Sequence, residues 1–290
     1  MRALVTGGNG FLGSHLVMAL LERGDSVTVL ERSSSDISRI SGAMAHISFY
    51  SSDEGSLEEP FDENSGIDIV FHTATSYGKK GESVLQMLEE NTVFSLQLLQ
   101  MVVKYGVGKF INMDTYYHPF INAYALSKKH FSQWGEFISV QEKIRFINLK
   151  LEHMYGPGDS DHKFVIYVIR KLLNEVPELD LTLGEQRLDF VYVDDVISAI
   201  LLLVDRCTNK GYYFNYPVGT GEAVSIRDFV EMVQRIAGSE TKLNFGVVPY
   251  RKNEVMFSQA DTSILKRMGW TPSVNLEEGI RRIVDFEKRW

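Results

Sequence analysis

The feature that most constrains the fold is a glycine-rich segment close to the start of the chain. It reads Thr6-Gly-Gly-Asn-Gly-Phe-Leu-Gly13 and joins a predicted strand at residues 3–6 to a predicted helix at 13–23. Glycines at this spacing permit a tight turn, let a pyrophosphate approach the backbone and let the helix pack against the strand. The helix N-terminus adds free N–H groups and the positive end of the helix dipole. Strand, glycine loop and helix in this order therefore predict a dinucleotide-binding site.

The expected cofactor contacts come from this loop and from the end of the second predicted strand. We expect the pyrophosphate to meet Gly7, Asn9, Gly10, Phe11, Leu12 and Gly13. Glu31 follows the strand at residues 26–30, where a carboxylate could accept hydrogen bonds from the ribose hydroxyls and favour NAD. Arg32 comes next, and its guanidinium could pair with the 2′-phosphate of NADP. The sequence therefore leaves NAD and NADP both open.

Predicted strands and helices alternate over the first half of the chain. Strands are expected at 3–6, 26–30, 46–50, 67–73, 109–113 and 144–149, and helices at 13–23, 83–105 and 123–140. This alternation indicates parallel βαβ units, and so an α/β fold with a doubly wound parallel sheet of the Rossmann type. After Tyr155-Gly-Pro-Gly158 the pattern becomes irregular. We therefore expect a dinucleotide-binding domain at 1–158, to which segments near 190–220 return, and a smaller substrate-binding lobe at 159–290.

Composition and charge exclude several classes of protein. The net charge of −8 argues against nucleic acid or an anionic membrane surface as the main partner. The longest apolar runs are far shorter than the roughly 20 residues that span a bilayer. The single cysteine, Cys207, rules out an internal disulfide framework and favours a reducing compartment, so we expect a cytoplasmic location. The seven histidines are scattered without ligand spacing, so no metal site is expected.

Tyr124 and Lys128 form a second candidate site in the predicted helix at 123–140. Four residues apart, they lie on one helix face. The ammonium of Lys128 would lower the pKa of the Tyr124 phenol and could hold the nicotinamide ribose. The phenol would then donate a proton to a carbonyl oxygen as hydride arrives, or remove one in reverse. After a glycine-loop domain, this pair indicates an oxidoreductase.

At the level of whole motifs, the chain resembles the extended short-chain dehydrogenases/reductases of the NAD-dependent epimerase/dehydratase family. The segments that carry this resemblance are TGGNGFLGSHL at the start, His72-Thr-Ala-Thr75, Asn91, YALSK at 124–128, Tyr155-Gly-Pro-Gly158, Phe190-Val-Tyr-Val-Asp-Asp195 and Ala260-Asp261. Within the family the chain most resembles the CDP-abequose and CDP-paratose synthases, which reduce CDP-4-keto-6-deoxyglucose. Residues 149–158 and 251–257 carry that narrower similarity.

The resemblance implies further site residues and a quaternary structure. Asp53 would meet the adenine edge, Ala74 and Thr75 would line the cofactor groove, and Asn91 would support the surroundings of the tyrosine. His153 would touch the sugar nucleotide, and Arg251 would hold its diphosphate. The substrate implied is a nucleotide sugar. The predicted helices at 83–105 and 123–140 would pair two subunits into a homodimer.

One departure from the family pattern bears on catalysis. Relatives carry Ser or Thr where this chain has Met113, at the end of the fifth predicted strand, and methionine has no hydrogen to donate to a substrate carbonyl. Thr115 is the nearest hydroxyl and could serve instead if the loop after the strand bends suitably.

Three hypotheses of function follow. The first is a reductase that acts on the C4 ketone of a nucleotide-linked 4-keto-6-deoxyhexose. The second is a 4-epimerase with tightly bound NAD. The third is a cofactor-binding protein whose active site has decayed at Met113.

Overall fold

The computed structural model describes residues 1–63, 66–79, 81–207 and 210–289. The chain divides into two units, one of Met1–Lys150 with Cys207–Tyr216, the other of Leu151–Arg206 with Pro217–Trp290. The first unit thus ends close to the sixth strand and takes back one short segment. The assignment of cofactor to residues 1–158 and of substrate to 159–290 concerns function and stays a prediction.

The strands and helices have the following bounds. The strands are β1 Arg2–Thr6, β2 Ser26–Glu31, β3 Ile47–Ser51, β4 Ile69–His72, β5 Lys109–Thr115, β6 Arg145–Leu151, β7 His153–Tyr155, β8 Glu178–Leu181, β9 Arg187–Tyr192, β10 Tyr213–Val218, β11 Ala223–Ser225 and β12 Lys242–Phe245. The α-helices are α1 Phe11–Glu22, α2 Glu59–Glu63, α3 Val84–Leu88, α4 Phe94–Lys104, α5 Ala123–Glu142, α6 Phe164–Leu173, α7 Val193–Arg206, α8 Ile226–Ala237, α9 Ser263–Arg267 and α10 Leu276–Glu287.

A seven-stranded sheet organises the first unit. Its strand order is β10-β6-β5-β4-β1-β2-β3, and β1 pairs in parallel with both β2 and β4. The pairs β2–β3 and β4–β5 are parallel as well. The order reverses between β1 and β4, and such a switch point opens a crevice for ligands at the carboxyl ends of the strands. The predicted doubly wound α/β fold is confirmed.

Aromatic packing joins α5 to the sheet in the first unit. The rings of Phe110 on β5 and Phe146 on β6 stack with centroids 5.2 Å apart, and Phe131 on α5 meets both edge-on. Gly135 permits this contact, because a Cβ atom there would lie 2.2 Å from Cζ of Phe146. The helix is thereby fixed over the sheet with Tyr124 and Lys128 in its first two turns.

The predicted helix at 83–105 contains a feature that the sequence pattern did not reveal. It begins at Ser83, whose side chain forms a capping box with Gln86, and runs through α3 and α4. Between these lies a π-helical turn, Glu89–Val93, which includes the buried Asn91. Single π turns inside α-helices occur frequently at functional sites, because the extra residue redirects a side chain.

The second unit combines two small sheets with helices. One sheet has the order β11-β9-β7 and the other pairs β12 with β8. The rings of Phe190 on β9 and Phe229 on α8 stack at 4.7 Å. Asp189 on β9 is fully buried and accepts hydrogen bonds from the backbone N–H groups of Gly221 and Ala260, so it ties two loops to the sheet. Among the described helices of the whole chain, none is both long enough and apolar enough to cross a bilayer.

Candidate active site

The glycine loop between β1 and α1 is held by close backbone contacts. Gly7 has φ +71°, and a Cβ atom there would lie 2.5 Å from the backbone nitrogen of Ala74. A Cβ atom at Gly13 would lie 1.9 Å from the carbonyl oxygen of Gly7. A Cβ atom at Gly10, by contrast, would meet only that same oxygen, at 3.1 Å. Gly7 and Gly13 are therefore required for packing, whereas Gly10 leaves room on the side where a ligand would approach.

The other loop residues are placed by α1 and by Glu31. The backbone N–H of Asn9 donates to Oε1 of Glu31 at 3.1 Å, and its side-chain amide donates to the carbonyl of Asp36. Phe11 and Leu12 open α1, the latter with a buried side chain. Glu31 is itself buried, and burial raises the pKa of its carboxyl group. The structure thus brings the loop and the Glu31 carboxylate together.

Arg32 and Asp53 lie beside Glu31 but are engaged with other groups. The guanidinium of Arg32 is 3.1 Å from Oε1 of Glu90, and both side chains are partly exposed. Exposed ion pairs of this kind contribute about 0–1 kcal/mol to stability. Arg32 could therefore exchange Glu90 for the 2′-phosphate of NADP at little cost in free energy. Asp53 accepts hydrogen bonds from the backbone N–H of Ser33 and the hydroxyl of Ser51, both at 2.7 Å, which lower the pKa of its carboxyl group.

Asn91 connects the loop after β4 with α5. Its amide oxygen accepts from the backbone N–H of Ser76 at 2.7 Å and from the hydroxyl of Thr75 at 3.3 Å. Its amide nitrogen donates to the carbonyl of Ser76 and to the hydroxyl of Ser127, which lies between Tyr124 and Lys128 in sequence. Because Asn91 is fully buried, these bonds fix the Thr75–Ser76 backbone against the helix that carries the candidate catalytic pair.

Thr115 lies beside Tyr124. The strand β5 continues to Thr115, two residues beyond its predicted end, and Met113 and Thr115 are buried on the same face of it. The lowered pKa that was expected for Tyr124 is wrong: burial raises it well above its ordinary value, Tyr77 and Asp114 add to this rise, and a hydrogen bond with the Thr115 side chain opposes it. The phenol therefore holds its proton, as a general acid must, and has a hydroxyl partner despite Met113.

Lys128 is almost completely buried, with 1% of its surface exposed. Burial, helped by the charge of Lys129 and opposed by the carboxylate of Asp114, lowers the pKa of its ammonium group to about 8. Near neutral pH the side chain remains cationic inside a water-poor site. Such a cation can hold a ribose hydroxyl and stabilise negative charge that develops on Tyr124.

Tyr77, Asp114 and Lys129 also lie around Tyr124 and were not predicted from the sequence. The ring of Tyr77 packs on that of Tyr124 with centroids 4.9 Å apart, and about half of its surface is exposed. Lys129 forms a short ion pair with Asp114, with Nζ 2.7 Å from Oδ2. The only signal in the sequence was the doubled lysine at 128–129, which did not identify a partner.

The two predicted substrate contacts lie in the second unit. His153 is on β7, and burial lowers the pKa of its imidazole to about 4, so the ring is neutral. Its Nδ1 is 3.9 Å from Oε2 of Glu152, whose carboxyl pKa is raised to about 8, chiefly by burial. Ser258 donates to that same oxygen at 2.5 Å. Arg251 is exposed on the segment between β12 and α9.

Within the described ranges, no group of three His, Cys, Asp or Glu side chains is arranged to hold a metal.

A family model described as the NAD-dependent epimerase/dehydratase family matches residues 3–219. The chain belongs to this family. Membership confirms the predicted family and its nicotinamide-dinucleotide cofactor. The chain is also 35% identical to a CDP-abequose synthase of Salmonella typhimurium, over 97% of this chain and 96% of that protein.

Solved structures of the family share the fold over nearly the full chain. A UDP-glucose 4-epimerase of Thermotoga maritima with UDP-glucose has a TM-score of 0.86 at 28% identity, covering 100% of this chain and 99% of that one. A UDP-glucose 4-epimerase of Thermus thermophilus in complex with NAD has a TM-score of 0.85 at 27% identity, covering 99% of both chains.

Proposed function

We propose that this protein is an NAD(P)H-dependent reductase of the 4-keto group of a nucleotide-linked 4-keto-6-deoxyhexose, with a CDP-sugar as the favoured substrate. The observation that carries the proposal is the 35% identity to a CDP-abequose synthase along almost the whole of both chains. The hydroxyl pair of Thr115 and Tyr124 supplies the acid that ketone reduction needs.

Tyr124 donates the proton, and two neighbours support it. When bound, the reduced nicotinamide supplies hydride to the C4 carbon of the ketone. The Tyr124 phenol, kept protonated by burial, transfers its proton to the carbonyl oxygen. Thr115 and the Lys128 ammonium stabilise the phenolate left behind, which then takes a proton from solvent.

The remaining predicted residues have binding roles in this proposal. The glycine loop receives the pyrophosphate, Glu31 or Arg32 reads the adenosine ribose, and Asp53 meets the adenine. His153, neutral because burial lowers the pKa of its imidazole, hydrogen-bonds the sugar nucleotide. Arg251, which is exposed, holds the diphosphate with its guanidinium.

A 4-epimerase is the second candidate. It is favoured by the structural similarity to UDP-glucose 4-epimerases, one of them in complex with NAD. An epimerase oxidises and re-reduces the same carbon, so it retains its cofactor. Purified protein that arrives without bound NAD and consumes stoichiometric NADPH or NADH with CDP-4-keto-6-deoxyglucose supports the reductase. Protein that carries tightly bound NAD and interconverts 4-epimers without net consumption refutes it.

The hypothesis of a decayed site is tested at Thr115 and Met113. If Thr115 stabilises the Tyr124 phenolate, Thr115→Val should cost a single hydrogen bond to a charged group, about 1.5–3 kcal/mol of transition-state stabilisation. Met113→Thr should then change turnover little, because the hydroxyl is already present two residues further on. A large gain of activity in Met113→Thr would show that the native site is defective.

We also propose a homodimer formed through α5. This helix exposes Trp134, Phe137 and Val140, each with about half or more of its surface accessible, along one face. Apolar side chains three residues apart form the stripe through which helices pair, and a second copy presents the same stripe. Trp134→Glu should give a monomer by light scattering, whereas the control Met18→Glu, on the exposed face of α1, should leave the dimer intact. A wild-type monomer contradicts the proposal.

A further inference from the structure

Lys129 follows Lys128 on α5, yet its ammonium group serves the end of β5. Its Nζ lies 2.7 Å from Oδ2 of Asp114 and donates to the carbonyl oxygen of Thr115, also at 2.7 Å. The Asp114 side chain has no exposed surface and that of Lys129 is 18% exposed. Hydrogen bonds between charged groups in such surroundings are short and strong, and each partner depends on the other.

The Asp114 carboxylate also accepts hydrogen bonds from other buried polar groups. Its Oδ1 accepts the backbone N–H of Thr115 at 2.7 Å, and its Oδ2 accepts the side-chain amide of Asn148 at 3.0 Å. The oxygen of Asn148 accepts in turn from Asn112 at 2.7 Å. A buried carboxylate requires partners of this kind, because without them its desolvation is not compensated.

Two consequences for the active site follow. Both backbone polar groups of Thr115 are held by the Lys129–Asp114 pair, which fixes the residue whose hydroxyl meets Tyr124. The pair also engages Asp114, an acidic group whose charge acts on Lys128. With Lys129 absent, Lys128 would be the nearest cation of α5 able to neutralise that carboxylate.

We propose that Lys129 is a positioning residue that holds the Thr115 hydroxyl against Tyr124. Its ion pair with Asp114 also keeps that carboxylate from pairing with Lys128, so that the Lys128 ammonium stays available to the cofactor. The inference rests on the proposed function only for the identity of the reaction. The contacts that carry it are independent of the substrate.

The titratable groups around the Lys129–Asp114 pair shift one another's pKa values. Lys150 on β6 lowers the pKa of Lys129, as burial does more strongly, while Asp114 opposes both. Asp114 raises the pKa of Tyr124 and that of Tyr213 on β10. Lys129 lowers the pKa of Lys128. Removing its charge therefore raises the pKa of Lys128 and, through the unshielded Asp114, that of Tyr124.

The test compares Lys129→Met with Lys129→Arg. Arginine keeps the positive charge and can still donate hydrogen bonds to Asp114 and to the Thr115 carbonyl. For Lys129→Met we expect kcat to fall by roughly 10- to 100-fold, the scale of a misplaced catalytic contact. The alkaline limb of the pH–kcat profile should move to higher pH. Lys129→Arg should restore the wild-type limb and most of the rate. Lys104→Met, which removes an exposed cation on α4, should leave the limb in place. An unmoved limb in Lys129→Met, or failure of arginine to rescue, overturns the proposal.

Two further measurements keep the result interpretable. Lys129→Gln leaves an amide donor without a charge, so it should fold where methionine does not and still move the limb to higher pH. The pH dependence of NADPH and NADH binding reports Lys128 without turnover, and its alkaline loss of affinity should shift upward in both neutral variants. A wild-type protein that binds cofactor but reduces no keto sugar refutes the proposed function, while this binding profile still decides the role of Lys129.

Discussion

Replacing Glu152 with glutamine should remove a loss of stability that the wild-type protein shows between about pH 6.5 and about pH 8. The Glu152 carboxyl is buried, receives a hydrogen bond from Ser258, and lies near the carboxylate of Asp189, which adds to the rise of its pKa. Its pKa in the folded protein is about 8, far above the value of about 4.3 for an exposed glutamate. At pH values below the pKa of Glu152 in the unfolded chain, the stabilising contribution of its carboxyl group is fully present.

The magnitude follows from proton linkage. Between the two pKa values the folded protein keeps a proton that the unfolded chain has lost, so stability falls by at most about 1.4 kcal/mol per pH unit as pH rises. From about pH 6.5 to about pH 8 the loss amounts to about 1.5 kcal/mol, because the folded group itself begins to ionise near the upper end. The lowered pKa of His153 has the opposite sign and acts mainly below pH 6.5, and because wild type and Glu152→Gln both carry His153, its contribution cancels in their difference.

Urea unfolding of both proteins across this window measures the effect. The difference in free energy of unfolding between wild type and Glu152→Gln should change by about 1.5 kcal/mol in favour of the variant as pH rises. Glu178→Gln, at an exposed position of the same unit, should show no such change. Parallel pH dependences for wild type and Glu152→Gln would refute the buried, protonated carboxyl group.

Two further predictions concern the cofactor. Gly10→Val should fold normally, because a Cβ atom at Gly10 meets only the Gly7 oxygen, but should abolish NADH and NADPH binding in calorimetry; unchanged binding would place the site elsewhere. Arg32→Ala should weaken NADPH by about 1.5–3 kcal/mol and NADH less, since only NADPH has a 2′-phosphate to pair with. Equal losses for the two cofactors would show that Arg32 takes no part in the choice, and Glu90→Gln, which frees Arg32, should shift preference towards NADPH.

The backbone path of the glycine loop and the shared helix face of Tyr124 and Lys128 were predictable because both depend on local sequence. Three glycines between a strand and a helix impose a backbone path by themselves, and four residues of helix place Tyr124 and Lys128 on one face. The strand–helix alternation also sufficed for the doubly wound sheet, since parallel pairing with short connections leaves few topologies. These predictions required no knowledge of distant contacts.

The sequence could not define the end of β5. The prediction ended the strand at Met113, which made Thr115 a turn residue that needed a suitable bend. In the structure Thr115 is the last residue of the strand, held by Asp114 and Lys129, and its side chain contacts Tyr124. Two residues of strand thus decide whether a hydroxyl reaches the site, and tertiary hydrogen bonds rather than propensity supply them.

Other features depended on partners far apart in sequence. The π turn at Glu89–Val93 is stabilised by the hydrogen bonds of Asn91 with Ser76 and Ser127. The hydrophobic periodicity of the sequence does not indicate such a turn. Asp189 is buried because loops more than thirty residues away bring N–H groups to it. Only a folded chain brings such donors and acceptors together, so their roles could not be deduced from spacing.

The most direct test of the account is the turnover of Tyr124→Phe with CDP-4-keto-6-deoxyglucose and NADPH or NADH. This change removes the proton that the account transfers to the ketone, while the ring that packs against Tyr77 remains. We predict a fall in kcat of about 10²–10⁴-fold, the usual span for general acid–base catalysis, with cofactor affinity and thermal stability close to wild type. Turnover equal to that of the wild type would contradict the assignment of Tyr124 as the acid and with it the central claim.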